Sequence, residues 1–63
     1  MKDYRKIITA HREAKGWSQY RLAKEIGLTQ SFVNHIESGR KSPSIETFFK
    51  ICGVLDIKLF PDE

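Results

Sequence analysis

The chain has 63 residues and one cysteine, so it can form one small domain and no intrachain disulfide. It carries a net charge of +3, which favours an anionic partner, and 40% of its residues are hydrophobic, as in an ordinary globular protein. No apolar run approaches the ~20 residues of a membrane span, and no signal-peptide pattern is present. We therefore expect a globular, cytoplasmic protein that does not interact with a membrane.

The first predicted helix runs from about Asp3 to Lys15. Asp3 is suited to cap its start, and Gly16 follows its end, where a left-handed backbone is common. One face repeats at the spacing of an inward stripe and comprises Tyr4, Ile7, Ile8, His11 and Ala14. His11 is interpreted as a half-buried core residue and not as a metal ligand, because no second His or Cys lies at a matching spacing.

Residues 18–39 predict two further helices joined by a tight turn at Gly27. Ser18 suits the N-cap of the first of them, and Gly27 allows the left-handed backbone at which that helix ends. Thr29 then caps the next helix, which runs from about Thr29 or Gln30 to Ser38 and ends at Gly39. Two helices joined by a short turn that contains glycine form a helix-turn-helix arrangement.

The second helix of this pair carries an uncharged polar stripe. At about 100° per residue, an arc of roughly 140° holds Gln30, Ser31, Asn34 and His35. Lys and Glu are typical of an ordinary solvated face, whereas amide, hydroxyl and imidazole groups match the donors and acceptors of base edges in the major groove. The stripe therefore predicts contacts with DNA bases, and an uncharged solvated face is the alternative.

Residues 17–40 read W-S-Q-x-x-L-A-x-x-I-G-L-T-Q-x-x-V-x-x-I-E-S-G-R. In this run the chain resembles the phage-repressor (Cro/C1, or XRE) helix-turn-helix family, and the match extends over about residues 8–55. The tail T-F-F-K-I-x-x-x-L-x-I-x-L, residues 47–59, is most similar to HipB-like antitoxin repressors. The residues and the resemblance together predict an all-α, compact four-helix domain of the phage-repressor type with a short C-terminal β-strand, and no cofactor is expected. The resemblance implies a dimeric repressor that binds double-stranded DNA at a palindromic operator, with a toxin protein as an additional partner.

The resemblance also assigns roles to single residues. Gln30 and Ser31 are implied as the principal base-contacting residues, His35 as the third, and Asn34 lies between them. Gln19, in the first turn of the preceding helix, is implied as a phosphate contact, which agrees with the affinity of helix N-termini for anions.

The resemblance further pairs Arg12 with Glu37. The physical interpretation is a partly buried, bidentate ion pair that holds the first helix against the recognition helix. Two solvated surface charges are the alternative. Desolvation offsets much of the attraction in such a pair. We therefore expect loss of either residue to destabilise the protein mainly because the other is left as an unpaired buried charge.

The segment after Gly39 predicts a phosphate clamp beside the recognition helix. Pro43 suits the first position of a fourth helix with Ser42 as its cap, and Ser44 is the other candidate cap. Cations and exposed helix starts bind phosphates without reading sequence, although a surface loop with ordinary charges remains the alternative. The predicted phosphate contacts besides Gln19 are Thr29, Arg40, Lys41 and Ser44.

The fourth predicted helix spans about Ser44 to Gly53 or Leu55 and is apolar on two sides, which suggests an interface. Residues 55–59 then alternate apolar and polar, which is typical of a strand. A lone strand leaves its backbone groups unpaired, so we expect residues 56–63 to pair with a second chain, beyond a DNA-binding domain at 1–55. A frayed tail is the alternative. The predicted dimer-interface residues are Leu55, Ile57 and Leu59.

Two functions from different classes remain. The first is a dimeric, sequence-specific DNA-binding repressor, which the polar stripe and flanking cations favour. The second is a protein-interaction module that keeps the fold without reading DNA. An enzyme is not expected, because no nucleophile–base pair, carboxylate pair or metal cluster emerges from the sequence.

Overall fold

The structure, a computed structural model, describes residues 3–58, which form four α-helices. The helices are α1, Tyr4–Ala14; α2, Gln19–Ile26; α3, Gln30–Ser38; and α4, Ile45–Leu55. These bounds lie within one or two residues of the predicted ones, and the predicted all-α, four-helix fold is confirmed.

Every helix begins at a polar side chain that accepts a hydrogen bond from a backbone N–H of the first turn. Such a cap contributes about 1 kcal/mol to stability. The cap of α4 is Ser44 and not Ser42. The four caps are Asp3 to the Arg5 N–H at 2.9 Å, Ser18 to Arg21 at 3.0 Å, Thr29 to Phe32 at 3.1 Å and Ser44 to Thr47 at 3.1 Å.

Two helices end at a glycine in the left-handed region, Gly27 at φ 75° and Gly39 at φ 84°. A side chain is disfavoured at such a φ. At Gly39 a Cβ would also collide with the guanidinium of Arg5. Both helix ends therefore occur where the sequence predicts them.

The core is built from all four helices. α3 packs against α1 and α2, and α4 packs against the same two helices. This arrangement covers the inner side of α3, where Val33 and Ile36 are each 1% exposed, and within residues 3–58 the opposite side of the helix remains exposed. The buried apolar cluster comprises Ile8, Leu22, Ala23, Ile26, Val33, Ile36, Ile51 and Leu55.

Leu55 ends α4 and does not begin a strand, so the strand prediction is wrong at this residue. Its side chain is 2% exposed within the core. Asp56 then takes a left-handed conformation at φ 58°, and the Ile57 N–H donates to the Cys52 carbonyl at 2.9 Å. Ile51 and Leu55 are four residues apart, which is the spacing of one helical face. Burial of this face in the core outweighed the strand preference of the alternating apolar and polar residues at 55–59.

The structure describes only one of the other two predicted interface residues. Ile57 is half-buried and packs against the core of its own domain. Leu59 lies outside the described residues. Leu55 is buried in its own domain and is therefore not accessible to a second chain.

Candidate nucleic-acid interface

The uncovered side of α3 carries the four residues predicted to contact bases. Gln30, Ser31 and Asn34 are exposed, and His35 is half-buried at the edge of the stripe. Their amide, hydroxyl and imidazole groups offer both donors and acceptors, which is what the edges of base pairs present in the major groove. The helix thus presents a neutral polar surface on the side opposite to its core contacts.

The backbone at the end of α3 brings Arg40 and Lys41 close to this helix. The His35 carbonyl accepts hydrogen bonds from the Arg40 N–H at 2.8 Å and from the Lys41 N–H at 3.1 Å. The Lys41 Nζ lies 5.9 Å from the centre of the Phe32 ring, within the range of a cation–π contact. Phe32 itself is half-buried and packs against the core. Both cationic residues are exposed.

Two exposed helix caps lie among the predicted phosphate contacts. The Thr29 hydroxyl oxygen accepts from the Phe32 N–H, and its own proton stays available for donation. The Ser44 hydroxyl is more engaged, since it caps Thr47 and also forms a hydrogen bond with the Thr47 hydroxyl at 3.0 Å. Thr29 is therefore the freer of the two to donate to a phosphate.

Arg12 and Glu37 lie together behind the exposed face. The Arg12 Nε donates to Glu37 Oε2 at 2.8 Å, and its Nη2 donates to Oε1 at 3.0 Å. The third guanidinium nitrogen donates to the Trp17 carbonyl at 2.8 Å. The side chains are 10% and 7% exposed, so the pair lies inside the protein and joins α1 to the last turn of α3.

Glu37 is ionised in this setting. Burial by itself would raise its pKa, but hydrogen bonds from Arg12, Gln19 and Thr9 and the charge of Arg12 outweigh burial and leave the pKa below its usual value. Thr9 was not among the predicted site residues, although it lies three residues before Arg12 and hence on the same side of α1. That spacing could have identified it.

Gln19 lies between this buried pair and the exposed face. Its Nε2 donates to Glu37 Oε1 at 3.1 Å, and its Oε1 accepts from the Asn34 Nδ2 at 3.3 Å. The sequence pattern gives Gln19 and Asn34 separate roles and does not predict this contact. No spacing in the sequence could indicate it, because the two residues belong to different helices.

Other kinds of site have little support in the described residues. Within residues 3–58, no cluster of three or more His, Cys, Asp or Glu side chains is arranged to hold a metal ion. The thiol of Cys52 is buried, and burial raises its pKa, which makes it a poor nucleophile. The helices in the described range have at most 11 residues each, which is shorter than a membrane span requires.

Known proteins share both the sequence pattern and the fold. A family model described as helix-turn-helix matches residues 8–60. The antitoxin HipB of Escherichia coli O6:H1 is 38% identical over 48 residues, covering 76% of this chain and 51% of HipB. The HTH-type transcriptional regulator SlrR of Bacillus subtilis is 34% identical over 55 residues, covering 86% of this chain and 36% of SlrR. The chain thus spans about half, or less, of the length of these curated relatives.

Two solved structures are similar over most of the four-helix domain. The N-terminal DNA-binding domain of SinR from Bacillus subtilis matches with a TM-score of 0.78 and 33% identity, covering 86% of this chain and 80% of that one. A HipB–O1–O2 complex matches with a TM-score of 0.76 and 28% identity, covering 95% of this chain and 87% of the other.

Proposed function

Because the chain belongs to the helix-turn-helix family, we propose that it is a sequence-specific DNA-binding transcriptional regulator, acting as a dimeric repressor. The observation that carries this proposal is the outer side of α3, where Gln30, Ser31 and Asn34 are exposed while Val33 and Ile36 are buried. In this assignment α3 enters the major groove, and the four residues of its stripe contact base edges.

The phosphate contacts follow from the surroundings of α3. Arg40 and Lys41 extend from its C-terminal end, and Thr29 caps its N-terminal end. Gln19 lies in the first turn of α2 and keeps one amide N–H beyond the bond to Glu37. Ser44 marks the start of α4. These groups would set the register of the protein on DNA, and the stripe would read the sequence.

Replacement of Gln30 by alanine is expected to lower the ratio of the affinities for a specific site and for a scrambled duplex by about 5- to 150-fold per contact, and to leave the fold intact. A bidentate base contact contributes about 1–3 kcal/mol of discrimination, and Gln30 is exposed at the first position of α3, so its loss leaves no cavity. Fluorescence anisotropy measures the affinity for a DNA site selected from a random library and for a scrambled duplex, at one salt concentration. The melting temperature shows whether the variant is folded.

The control for this variant is Lys50→Ala, which alters an exposed residue of α4 outside the proposed interface. Lys50→Ala should keep the ratio of the two affinities. A folded Gln30→Ala protein with an unchanged ratio would contradict the base-reading role and favour the protein-interaction module.

Selection of bound duplexes from a random library, followed by footprinting, tests the proposal as a whole. A dimeric repressor should select two related half-sites on one face of DNA, one helical turn or a multiple apart. Protection without register that is lost to competitor DNA would leave only the electrostatic attraction of a basic protein.

The homodimer is proposed to form through the C-terminal tail. Ile57 packs against its own core, so the deletion that tests the tail begins after Lys58 and removes residues 59–63. We expect this variant to be monomeric by light scattering at concentrations where the full chain is a dimer. If it stays dimeric, the interface belongs on α4, where Ile45 is 72% and Phe49 52% exposed.

A toxin protein is the second proposed partner, by analogy with the antitoxins to which the chain is similar. Co-expression with the product of the adjacent gene, followed by affinity purification of the pair, tests this assignment.

A further inference from the structure

A single series of hydrogen bonds runs from the core to the exposed face of α3. It begins at Arg12, which is 9% exposed, passes through Glu37 and Gln19, and ends at the exposed Asn34. Three helices contribute to it: Arg12 lies on α1, Gln19 on α2, and Glu37 and Asn34 on α3. The last bond connects two side chains assigned to DNA recognition.

The chemistry of each member dictates the direction of the series. Arg12 can only donate, and ionised Glu37 can only accept. Gln19 must therefore turn its NH2 group toward Glu37, which leaves its carbonyl oxygen for the next partner. Asn34 can satisfy that oxygen only with an N–H. A reversed amide at either position would place two acceptors or two donors against each other.

We infer that Glu37, acting through Gln19, is a positioning residue that sets which way the Asn34 amide faces DNA, and that Asn34 thereby selects adenine. This inference rests on the proposed function. Within residues 3–58, Asn34 is left with a carbonyl oxygen and one N–H that have no partner. Adenine offers one donor and one acceptor in the major groove, N6–H and N7, and asparagine matches both at once.

The planar amide makes these two contacts compatible. Its two N–H bonds point in different directions, one on the side of the carbonyl oxygen and one away from it. A bidentate contact with adenine uses the oxygen and the N–H on the same side. The other N–H then remains for Gln19, so a single amide group has enough donors and acceptors for both partners.

The first experiment observes the free protein by NMR with the variant Gln19→Met. Methionine keeps the length of the side chain but removes both amide groups, and Glu37 keeps its bonds to Arg12. We expect the two Asn34 side-chain NH2 signals to move toward the values of a solvated amide, while the backbone signals of α3 stay in place. Unchanged Asn34 side-chain signals would overturn the inference before any DNA is added.

The second experiment compares base preferences, position by position, for the wild type, Gln19→Met, Asn34→Ala and the double variant. We expect Asn34→Ala to lower the preference for adenine at one base pair by about 5- to 150-fold. Gln19→Met should lower it at the same base pair by about 2- to 10-fold, and the double variant should resemble Asn34→Ala. Loss of the phosphate contact proposed for Gln19 would by itself weaken binding to all sequences equally, so it does not alter this comparison of base preferences.

The outcomes separate this inference from the function on which it rests. If Asn34→Ala alters one position and Gln19→Met alters none, the positioning role is overturned and the regulator stands. If Asn34→Ala removes a preference for a base other than adenine, the assignment of adenine is overturned. A wild type without any sequence preference would overturn both the proposed function and the inference.

Discussion

Replacement of Arg12 by alanine is expected to lower the free energy of unfolding by about 3–5 kcal/mol. The reason is the partner left behind: the Glu37 side chain is 7% exposed and would keep its charge without the two guanidinium bonds. The core of so small a domain supplies only about 3–5 kcal/mol in total. The variant should therefore be largely unfolded at 25 °C, as measured by circular dichroism during heating and in urea.

Two controls identify burial of the charge as the cause. Glu25→Ala breaks the ion pair with Arg21, in which the Arg21 side chain is 52% exposed and the Glu25 side chain 37%. This variant should change the free energy of unfolding by less than about 1 kcal/mol. Replacing Arg12 and Glu37 together by methionine removes both charges, so it should recover most of the stability. An Arg12→Ala protein with the wild-type melting temperature would show that the pair is energetically unimportant.

Acid provides a second readout of the same pair. The pKa of Glu37 lies below its usual value of 4.5, so the folded state binds this proton less readily than the unfolded chain does. The resulting stability is complete above pH 4.5 and is lost as the pH falls below it, through the pKa of the folded state. Asp3, whose pKa is lowered to about 2 by its hydrogen bonds with Arg5, contributes in the same direction. The double methionine variant should therefore lose less stability in acid than the wild type.

Replacement of both Arg40 and Lys41 by alanine is expected to weaken binding to every DNA sequence. Each phosphate contact contributes about 0.9 to the slope of log affinity against log salt concentration, so the slope should fall by about two units. The preference for the selected site over a scrambled duplex should be retained, because neither residue is assigned to a base. Titrations of both duplexes between 50 and 200 mM salt give the slope and the preference together.

The matched control for this pair is Lys6→Ala with Lys50→Ala, which removes the same charge from exposed positions on α1 and α4. If proximity to α3 matters, the control should alter the slope much less. If both double variants lower the slope equally, Arg40 and Lys41 act only through the net charge of the protein and not through specific phosphate contacts. Loss of sequence preference without a change in slope would move Arg40 or Lys41 into base contact.

The predictable part of this protein is the part governed by neighbours along the chain. A cap joins residues two or three positions apart, and a helical face repeats every 3.6 residues, so the four helices follow from the order of the residues. The same periodicity separates Gln30 and Asn34 from Val33 and Ile36, which is why the candidate base-contacting stripe can be recognised from the order of the residues alone.

Packing between distant segments decided the rest. Leu55 fits both an alternating strand and a helical stripe, and burial against α1 and α2 selected the helix. The burial of Arg12 with Glu37 and the contact of Gln19 with Asn34 connect residues that are 25 and 15 positions apart. The sequence by itself therefore determined the helices and the surface that α3 presents, because those depend on short-range hydrogen bonds and periodicity. Only the tertiary structure decided how Gln19 connects the Arg12–Glu37 pair to that surface, because the distances between these side chains depend on how the helices pack.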